Sequence, residues 1–145
     1  MSDPHRLQRF VDAQDDGDAY RRAVAELRAG RKKSHWMWFV FPQVAGLGQS
    51  PLSRRYAISS LAEARAYLED PVLGPRLLES MRIVCELDGR SAQEIFGGID
   101  ALKLRSSATL FARADPSNEL FQHVLDTYFD GQPDEATERL LAIEG

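Results

Sequence analysis

Residues 60–71 read SLAEARAYLEDP, and this stretch predicts how the whole chain folds. Ser60, followed three residues later by Glu63, is the pattern of a capping box at a helix N-terminus. Leu61 and Leu68 then lie on an apolar stripe of helical spacing, until the Asp-Pro pair that closes the stretch disfavours further helix. The stretch therefore predicts a short amphipathic helix with defined ends.

The same signals recur on both sides of this stretch, with almost no two-residue alternation that would indicate strands. They predict seven or so short helices. The first contains Leu7, Phe10 and Val11, and the second contains Tyr20, Val24 and Leu27 and ends at Gly30. After the helix that follows Ser60, further helices are expected from Pro75 to Gly89, after a second capping box of Ser91 and Glu94, and from Asp100, Pro116 and Pro133. None is long enough for an up-and-down bundle, so we expect an all-α fold arranged as an irregular orthogonal array. The apolar stripes predict that Leu104, Phe111, Leu125 and Leu140 are buried.

Composition limits the class of protein. A chain of 145 residues predicts one globular domain over residues 1–145, and 43% hydrophobic with 28% charged residues is typical of a soluble protein. The longest apolar run, residues 36–41, is too short for the roughly 20 residues of a membrane span. The first residues lack a signal-peptide pattern and Cys85 is the lone cysteine, so we expect a cytoplasmic location.

Charge is distributed unevenly along the chain. Residues 27–62, the acid-free window, contain no aspartate or glutamate, although the chain carries 22 acids elsewhere. The window contains both tryptophans, and the first half of the chain is net positive while the second half is net negative. Two interpretations stay open: the window binds an anion, or its basic residues face the acidic half of the protein.

Aromatic residues follow the basic run of the window directly, since residues 31–43 read RKKSHWMWFVFPQ. Residues 36–41 are apolar all round and must be largely buried, and most aromatic runs belong to a core. Tryptophan is nevertheless seldom buried on every side. Trp36 or Trp38, next to His35 and Gln43, therefore has an alternative interpretation as the wall of a binding pocket.

A glycine turn and an arginine pair follow. Residues 46–50 read GLGQS, a weak motif that lacks the strand and the further glycine of a dinucleotide fingerprint. The ordinary interpretation is a tight turn before a helix. The functional one is an anion nest of turn amides and Ser53, beside the forked donors of Arg54.

A second polar cluster lies near residue 100. Asp100, Lys103 and Ser107 share a helix face, with Ser106 on its edge. A lysine beside serines can activate a nucleophile, but the spacing shows no oxyanion hole or base. The structural interpretation, with Asp100 as a helix cap and Lys103 as its surface partner, is the stronger one.

Several classes of site are disfavoured. The three histidines are scattered and no paired-cysteine, His-Glu-x-x-His or calcium-loop pattern occurs, so we expect no metal and no cofactor. A net charge of −4 argues against specific nucleic-acid binding, and no membrane association is expected.

Four strings together resemble the bacterial family known as domain of unknown function 1810, sometimes mislabelled calpastatin, and a mycobacterial-type member in particular. They are residues 33–43 (KSHWMWFVFPQ), 46–50 (GLGQS), 53–58 (SRRYAI) and 96–107 (FGGIDALKLRSS), and the resemblance runs over about residues 7–141. It implies an all-helical fold wound into a right-handed superhelix, with no assigned activity. The chain departs from the family pattern at Ala108, where Met is expected, and at Glu69-Asp70, where the family form contains histidine. The calpastatin label has no support, because calpain inhibition calls for disordered repeats.

The leading functional hypothesis is a pocket that binds a small anionic, nucleotide-like ligand. Its candidate residues are His35, Trp36, Trp38, Gln43, Ser53, Arg54 and Lys103. Arg54 and Lys103 would neutralise the anion, a tryptophan would stack on it, and Gln43 and Ser53 would orient it. If a reaction follows, His35 is the best general acid or base, because an ordinary imidazole pKa of about 6.5 is nearest to neutral pH. The alternatives are a basic face of Arg31, Lys32, Lys33, Arg54 and Arg55 that docks an acidic partner protein, and a purely structural role.

Overall fold

The chain folds as an all-α protein, as the sequence predicts. The computed structural model describes residues 3–87 and 89–144. In these ranges the helices are α1 (Gln8–Asp15), a 3-10 turn (Asp16–Asp18), α2 (Ala19–Arg28), α3 (Met37–Val40), α4 (Pro51–Arg55), α5 (Leu61–Glu69), α6 (Leu73–Glu86), α7 (Ala92–Phe96), α8 (Gly98–Ala114), α9 (Leu120–Tyr128) and α10 (Glu135–Glu144). The expected number of about seven is wrong, because the acid-free window contains two short helices, α3 and α4, that are not among those predicted from the capping and spacing signals.

Helix α8 lies at the centre of the packing. It contacts α5, α7, α9 and α10, while α6 contacts α2, α5 and α9. Leu104 and Phe111 of α8 are fully buried, and Leu125 of α9 is 1% exposed, so three of the four core predictions are confirmed. Leu140 is only half-buried at the edge of the core, because it covers the turn at Gly46. The orthogonal or superhelical course of the helices stays a prediction.

Helix beginnings differ from the sequence interpretation at three places. Asp100 does not cap α8: the helix begins two residues earlier after Gly97, whose φ of 83° suits glycine, and Asp100 lies in the first turn. Pro116 lies in a turn, and α9 begins only at Leu120, whose amide donates to the Asn118 side chain (3.0 Å). Pro133 likewise precedes α10 rather than opening it.

The two capping boxes have different outcomes. Ser91 and Glu94 form the complete reciprocal box. The Ser60 side chain accepts a hydrogen bond from the Glu63 amide. The Glu63 carboxylate, however, accepts from the amide and hydroxyl of Ser59 (2.8 and 2.7 Å) and from Arg9 (3.0 Å). Because Arg9 offers a charged partner, the Glu63 side chain binds two residues outside the predicted box.

Two hydrogen bonds close the loop that contains α4. The amide of Ala45 donates to the Ile58 carbonyl (2.8 Å), and the amide of Ile58 donates to the Gln43 carbonyl (2.8 Å), which makes an isolated parallel bridge at Val44. Within the described ranges this bridge is the only β-type pairing. No helix in the parts of the chain that the structure describes has the length and hydropathy to cross a bilayer.

Candidate functional site

The first half of the acid-free window is held by a carboxylate from outside it. Glu26 of α2 accepts hydrogen bonds from the Lys33 amide (2.7 Å), the Ser34 amide (2.9 Å) and hydroxyl (2.5 Å), and Trp36 Nε1 (2.9 Å). Burial raises the pKa of Glu26, but these donors outweigh burial and lower the pKa to about 2. The Lys-Ser-His-Trp segment is therefore fastened to α2 by an ionised carboxylate.

Lysine charges on this side are also neutralised. Lys32 Nζ lies 2.9 Å from Asp100 and donates to the Ser34 carbonyl (2.6 Å). Lys103 Nζ lies 3.5 Å from Asp100 on the same helix, as the sequence indicated, and 4.9 Å from the centre of the Trp38 ring. Asp100 thus joins α8 to the window through two ammonium groups.

The two tryptophans have different environments. Trp36 is 1% exposed and packs with Phe41 and Phe96, so its ring belongs to the core and offers no free face to a ligand. Trp38 is half-buried. Its Nε1–H is buried and has no acceptor among the described residues. Such an orphaned donor is costly unless water or a ligand accepts from it.

A cleft of about 200 Å³ opens beside Trp38. We call it the Trp38 cleft, and it is lined by Trp38, Gln43, Val44, Ala45, Gly46, Gly48, Ser53, Arg54, Tyr56 and Ala57. Glycine is required at both turn positions. Gly46 has a φ of 103°, and a Cβ on Gly48 would lie 2.4 Å from the Ser53 Cβ. The cleft is therefore shaped by the glycine turn and α4.

The polar groups of the Trp38 cleft have few partners. Arg54 is exposed, donates to the Gln49 side chain (3.2 Å), and has no acidic partner within residues 3–87 and 89–144. Gln43 Nε2 donates to Ser106 Oγ (2.8 Å), which fixes the carboxamide, while Ser53 Oγ pairs with Ser50 Oγ (2.9 Å). The amides of residues 46–49 bond to no acceptor in the described ranges.

The predicted site residues divide between two surfaces. Gln43, Ser53 and Arg54 line the Trp38 cleft, whereas exposed His35 lines a separate groove of about 390 Å³ with Lys32, Gly97, Ile99 and others. Trp38 borders both, and Lys103 covers its ring without lining either. Trp36 lies in the core between them.

The serines of α8 do not form a nucleophilic site. Ser106 accepts from Gln43 and donates to the Leu102 carbonyl (3.1 Å), and Ser107 is fully buried. With Lys103 ion-paired to Asp100, no base is free to activate either hydroxyl. Among the described residues, no cluster of side chains could hold a metal ion.

Sequence reasoning missed the contacts that organise this region from a distance, although it noted Ser106 as part of the second polar cluster. Glu26 and Ser106 lie outside the acid-free window, 10 and 63 residues from their partners Trp36 and Gln43. Arg9 is a further example. It donates to the carbonyls of Arg55 (2.8 Å) and Ala57 (2.8 Å) and so fixes the end of α4. Only their polar character was available as a signal, and many other residues of α1 and α2 share it.

Comparison with known proteins identifies the family and supports the overall fold. The family model described as protein of unknown function (DUF1810) matches residues 4–141. The crystal structure of the conserved hypothetical protein Rv1873 from Mycobacterium tuberculosis is 57% identical, with a TM-score of 0.94 over 97% of this chain and 99% of that one. A search of curated proteins found no significant match.

Proposed function

The chain belongs to the DUF1810 family of proteins of unknown function, and we propose that its Trp38 cleft binds a small anion that carries a planar group. The observation that carries this proposal is the contrast between Arg54 and the other basic groups around it. Lys32 and Lys103 share Asp100, whereas Arg54 lies at the cleft and forms no ion pair in the described ranges. A guanidinium offers forked donors that match phosphate or carboxylate oxygens.

The turn beside Arg54 supports the same conclusion. Amides of residues 46–49 have no acceptor among the described residues, and Gly46 and Gly48 of this turn line the cleft. Successive backbone amides in a turn are the usual components of an anion nest. The Ser53 hydroxyl adds a further donor on the same wall.

Trp38 and Gln43 support a planar component of the ligand. Trp38 contributes aromatic surface to the cleft and an indole N–H that still needs an acceptor. Gln43 is held through its Nε2 by Ser106, so its Oε1 stays free to accept from a ligand N–H. A volume of about 200 Å³ suits a small ligand or one end of a larger one, such as the ring of a nucleotide.

The remaining candidates have lesser roles in this proposal. Lys103 acts through Trp38, because its ammonium lies over the Trp38 ring and is paired with Asp100. His35 borders the other groove, so we propose binding and assign no catalytic step. The cytoplasmic location, the single domain and the absence of specific nucleic-acid binding stay predictions.

The docking alternative is weakened by one contact. It requires Lys32 on an exposed basic face, but Lys32 is bound to Asp100 and to the Ser34 carbonyl. Arg31, Lys33, Arg54 and Arg55 are exposed and remain available to a partner. Docking would therefore rest on these four residues.

A thermal-shift screen of phosphate, nucleotides and dicarboxylates tests the proposal, since a ligand that binds only the folded state raises the melting temperature. We expect at least one anion to stabilise the parent protein and to lose that effect in Arg54→Gln. Arg55→Gln is the matched control: it removes the same charge one residue away, where Arg55 lines a different cavity with Asp12, Asp15 and Asp16. Equal losses in both variants would indicate a general charge effect, and no shift in the parent protein would refute the cleft as a binding site.

A further inference from the structure

A second cavity adjoins the Trp38 cleft and is markedly basic. This basic cavity, of about 300 Å³, is lined by Pro4, His5, Arg6, Arg9, Ala45, Arg54, Ala57, Ser59 and Glu63. Ala45, Arg54 and Ala57 line both cavities, so the two meet along one edge. Arg54 therefore stands between them.

Charge in the basic cavity is unbalanced. The one carboxylate in its lining, Glu63, is already used: Arg9 pairs with it at 3.0 Å, and Ser59 donates to it twice. Arg9 is also saturated, with further bonds to four backbone carbonyls. Arg6, Arg54 and His5 are left without a carboxylate in the lining.

Nearby Asp3 offsets this excess only in part, because the three arginines of the lining outnumber Glu63 and Asp3 together. Its two carboxylate oxygens accept from the amides of Leu7 (2.8 Å) and Gln8 (3.0 Å) at the start of α1. These backbone hydrogen bonds lower the pKa of Asp3, with smaller contributions from Arg9 and His5. Asp3 thus serves the helix end and does not line the cavity.

Arg6 is held in an unusual conformation at the cavity wall. Its φ of 51° is in the left-handed region that non-glycine residues seldom adopt. The Arg6 carbonyl accepts from the Arg9 side chain (3.0 Å) and amide (3.2 Å), which keeps the turn in place. The Arg6 side chain is exposed and forms no hydrogen bond or ion pair within residues 3–87 and 89–144. Such backbone strain persists only where the surrounding structure holds it, and it occurs often at ligand-binding sites.

We infer that the basic cavity binds a second anionic group of the ligand in the Trp38 cleft, so that the ligand carries two adjacent anions that flank Arg54. The inference rests on the proposed function and narrows its ligand class to a planar group with a diphosphate, such as a nucleoside diphosphate. The first phosphate contacts Arg54 and the glycine-turn amides, and the second contacts Arg6 and His5. A diphosphate fits two cavities that share Arg54, because its two charges are adjacent and can share one guanidinium.

Isothermal titration with adenosine monophosphate and adenosine diphosphate tests the inference at low salt, where screening of exposed charges is weakest. We expect the diphosphate to bind the parent protein more tightly than the monophosphate. Arg6→Gln should lower affinity for the diphosphate by about tenfold, the loss typical of one charge-assisted contact, and leave the monophosphate unchanged. Arg21→Gln, an exposed position on α2 outside both cavities, is the matched charge control and should change neither affinity.

The outcomes separate this inference from the proposed function. If both nucleotides bind equally, or if Arg6→Gln and Arg21→Gln have equal effects, the second anion site is refuted while the Trp38 cleft stands. If the monophosphate binds and Arg54→Gln abolishes its binding, the proposed function is supported whatever Arg6 does. If neither nucleotide binds, the diphosphate inference is overturned, and the thermal-shift screen with the other anions decides on the cleft. If Arg54→Gln leaves both affinities unchanged, both the cleft and the inference built on it are overturned.

Discussion

Lys32 and Arg54, one in each half of the acid-free window, use their positive charges in opposite ways. In the first half, residues 31–41, Lys32 pairs with Asp100, and the Glu26 carboxylate accepts hydrogen bonds from the donors around Trp36. In the second half, residues 43–56, Arg54 has no acidic partner in the described ranges and lies beside an open cleft. A stretch without acids in sequence thus contains one cation that is ion-paired in space and another that is not. The basic, aromatic motif therefore divides into a structural part around Trp36 and a part around Arg54 that we propose to bind an anion.

The largest expected difference is between the two tryptophans. Trp36→Ala removes a fully buried ring and should cost about 3–5 kcal/mol of unfolding free energy. Trp38→Ala removes a ring that is already partly in solvent and should cost roughly 1–2 kcal/mol. Denaturant unfolding of both variants measures the two losses. Equal losses would mean that Trp38 is a core residue like Trp36, and the contrast between the two tryptophans would be wrong.

The next largest effect on unfolding free energy is expected from replacing Glu26, whose pKa is lowered by folding. A carboxyl whose pKa falls from 4.5 to about 2 on folding stabilises the protein above pH 4.5. This stabilisation is lost as pH falls from 4.5 toward 2. Glu26→Gln should therefore cost about 1–3 kcal/mol at pH 7, because the hydrogen bonds lose their charge. Unfolding free energy measured over this pH range should decline less steeply in the variant than in the parent protein. Parallel declines would show that Glu26 is not the fastening group.

The smallest expected effect is on the other half of the window. Arg54→Gln should change unfolding free energy by less than about 0.5 kcal/mol, since its guanidinium is exposed and bonds only to Gln49. Lys32→Gln should cost more, because Asp100 then loses its closest cation. Chemical denaturation of the two variants gives the order, and a greater loss for Arg54 would place that residue in the structural part.

The sequence predicts the helical class and much of the core, because these depend on local spacing. Leu104, Phe111 and Leu125 lie on stripes whose period is visible in one helix. Leu140 does not follow the rule, since its half-buried position is set by the distant turn at Gly46. Local signals predict helix beginnings at Asp100 and Pro116. The neighbouring glycine and turn residues place the observed beginnings elsewhere.

The site was predicted less completely, because its organisation is tertiary. Trp38, Gln43, Ser53 and Arg54 do meet at one cleft, as residues close in sequence often do. His35 is also near in sequence, yet it points to another groove. The partners that decide each role, Glu26, Asp100 and Ser106, approach from other helices, and no pattern within the window encodes them.

The indole N–H resonances of the two tryptophans test the central claim most directly, because this chain contains only these two. Nitrogen–proton correlation spectra would be recorded during a titration with adenosine diphosphate, with the signals assigned through Trp36→Phe and Trp38→Phe. The account predicts that the Trp38 signal shifts together with the amides of residues 46–49, while the Trp36 signal, bound to Glu26, stays in place. A Trp36 shift as large as that of Trp38, or no shift at either indole at the highest nucleotide concentration, would contradict the division of the window into a structural part and a binding part.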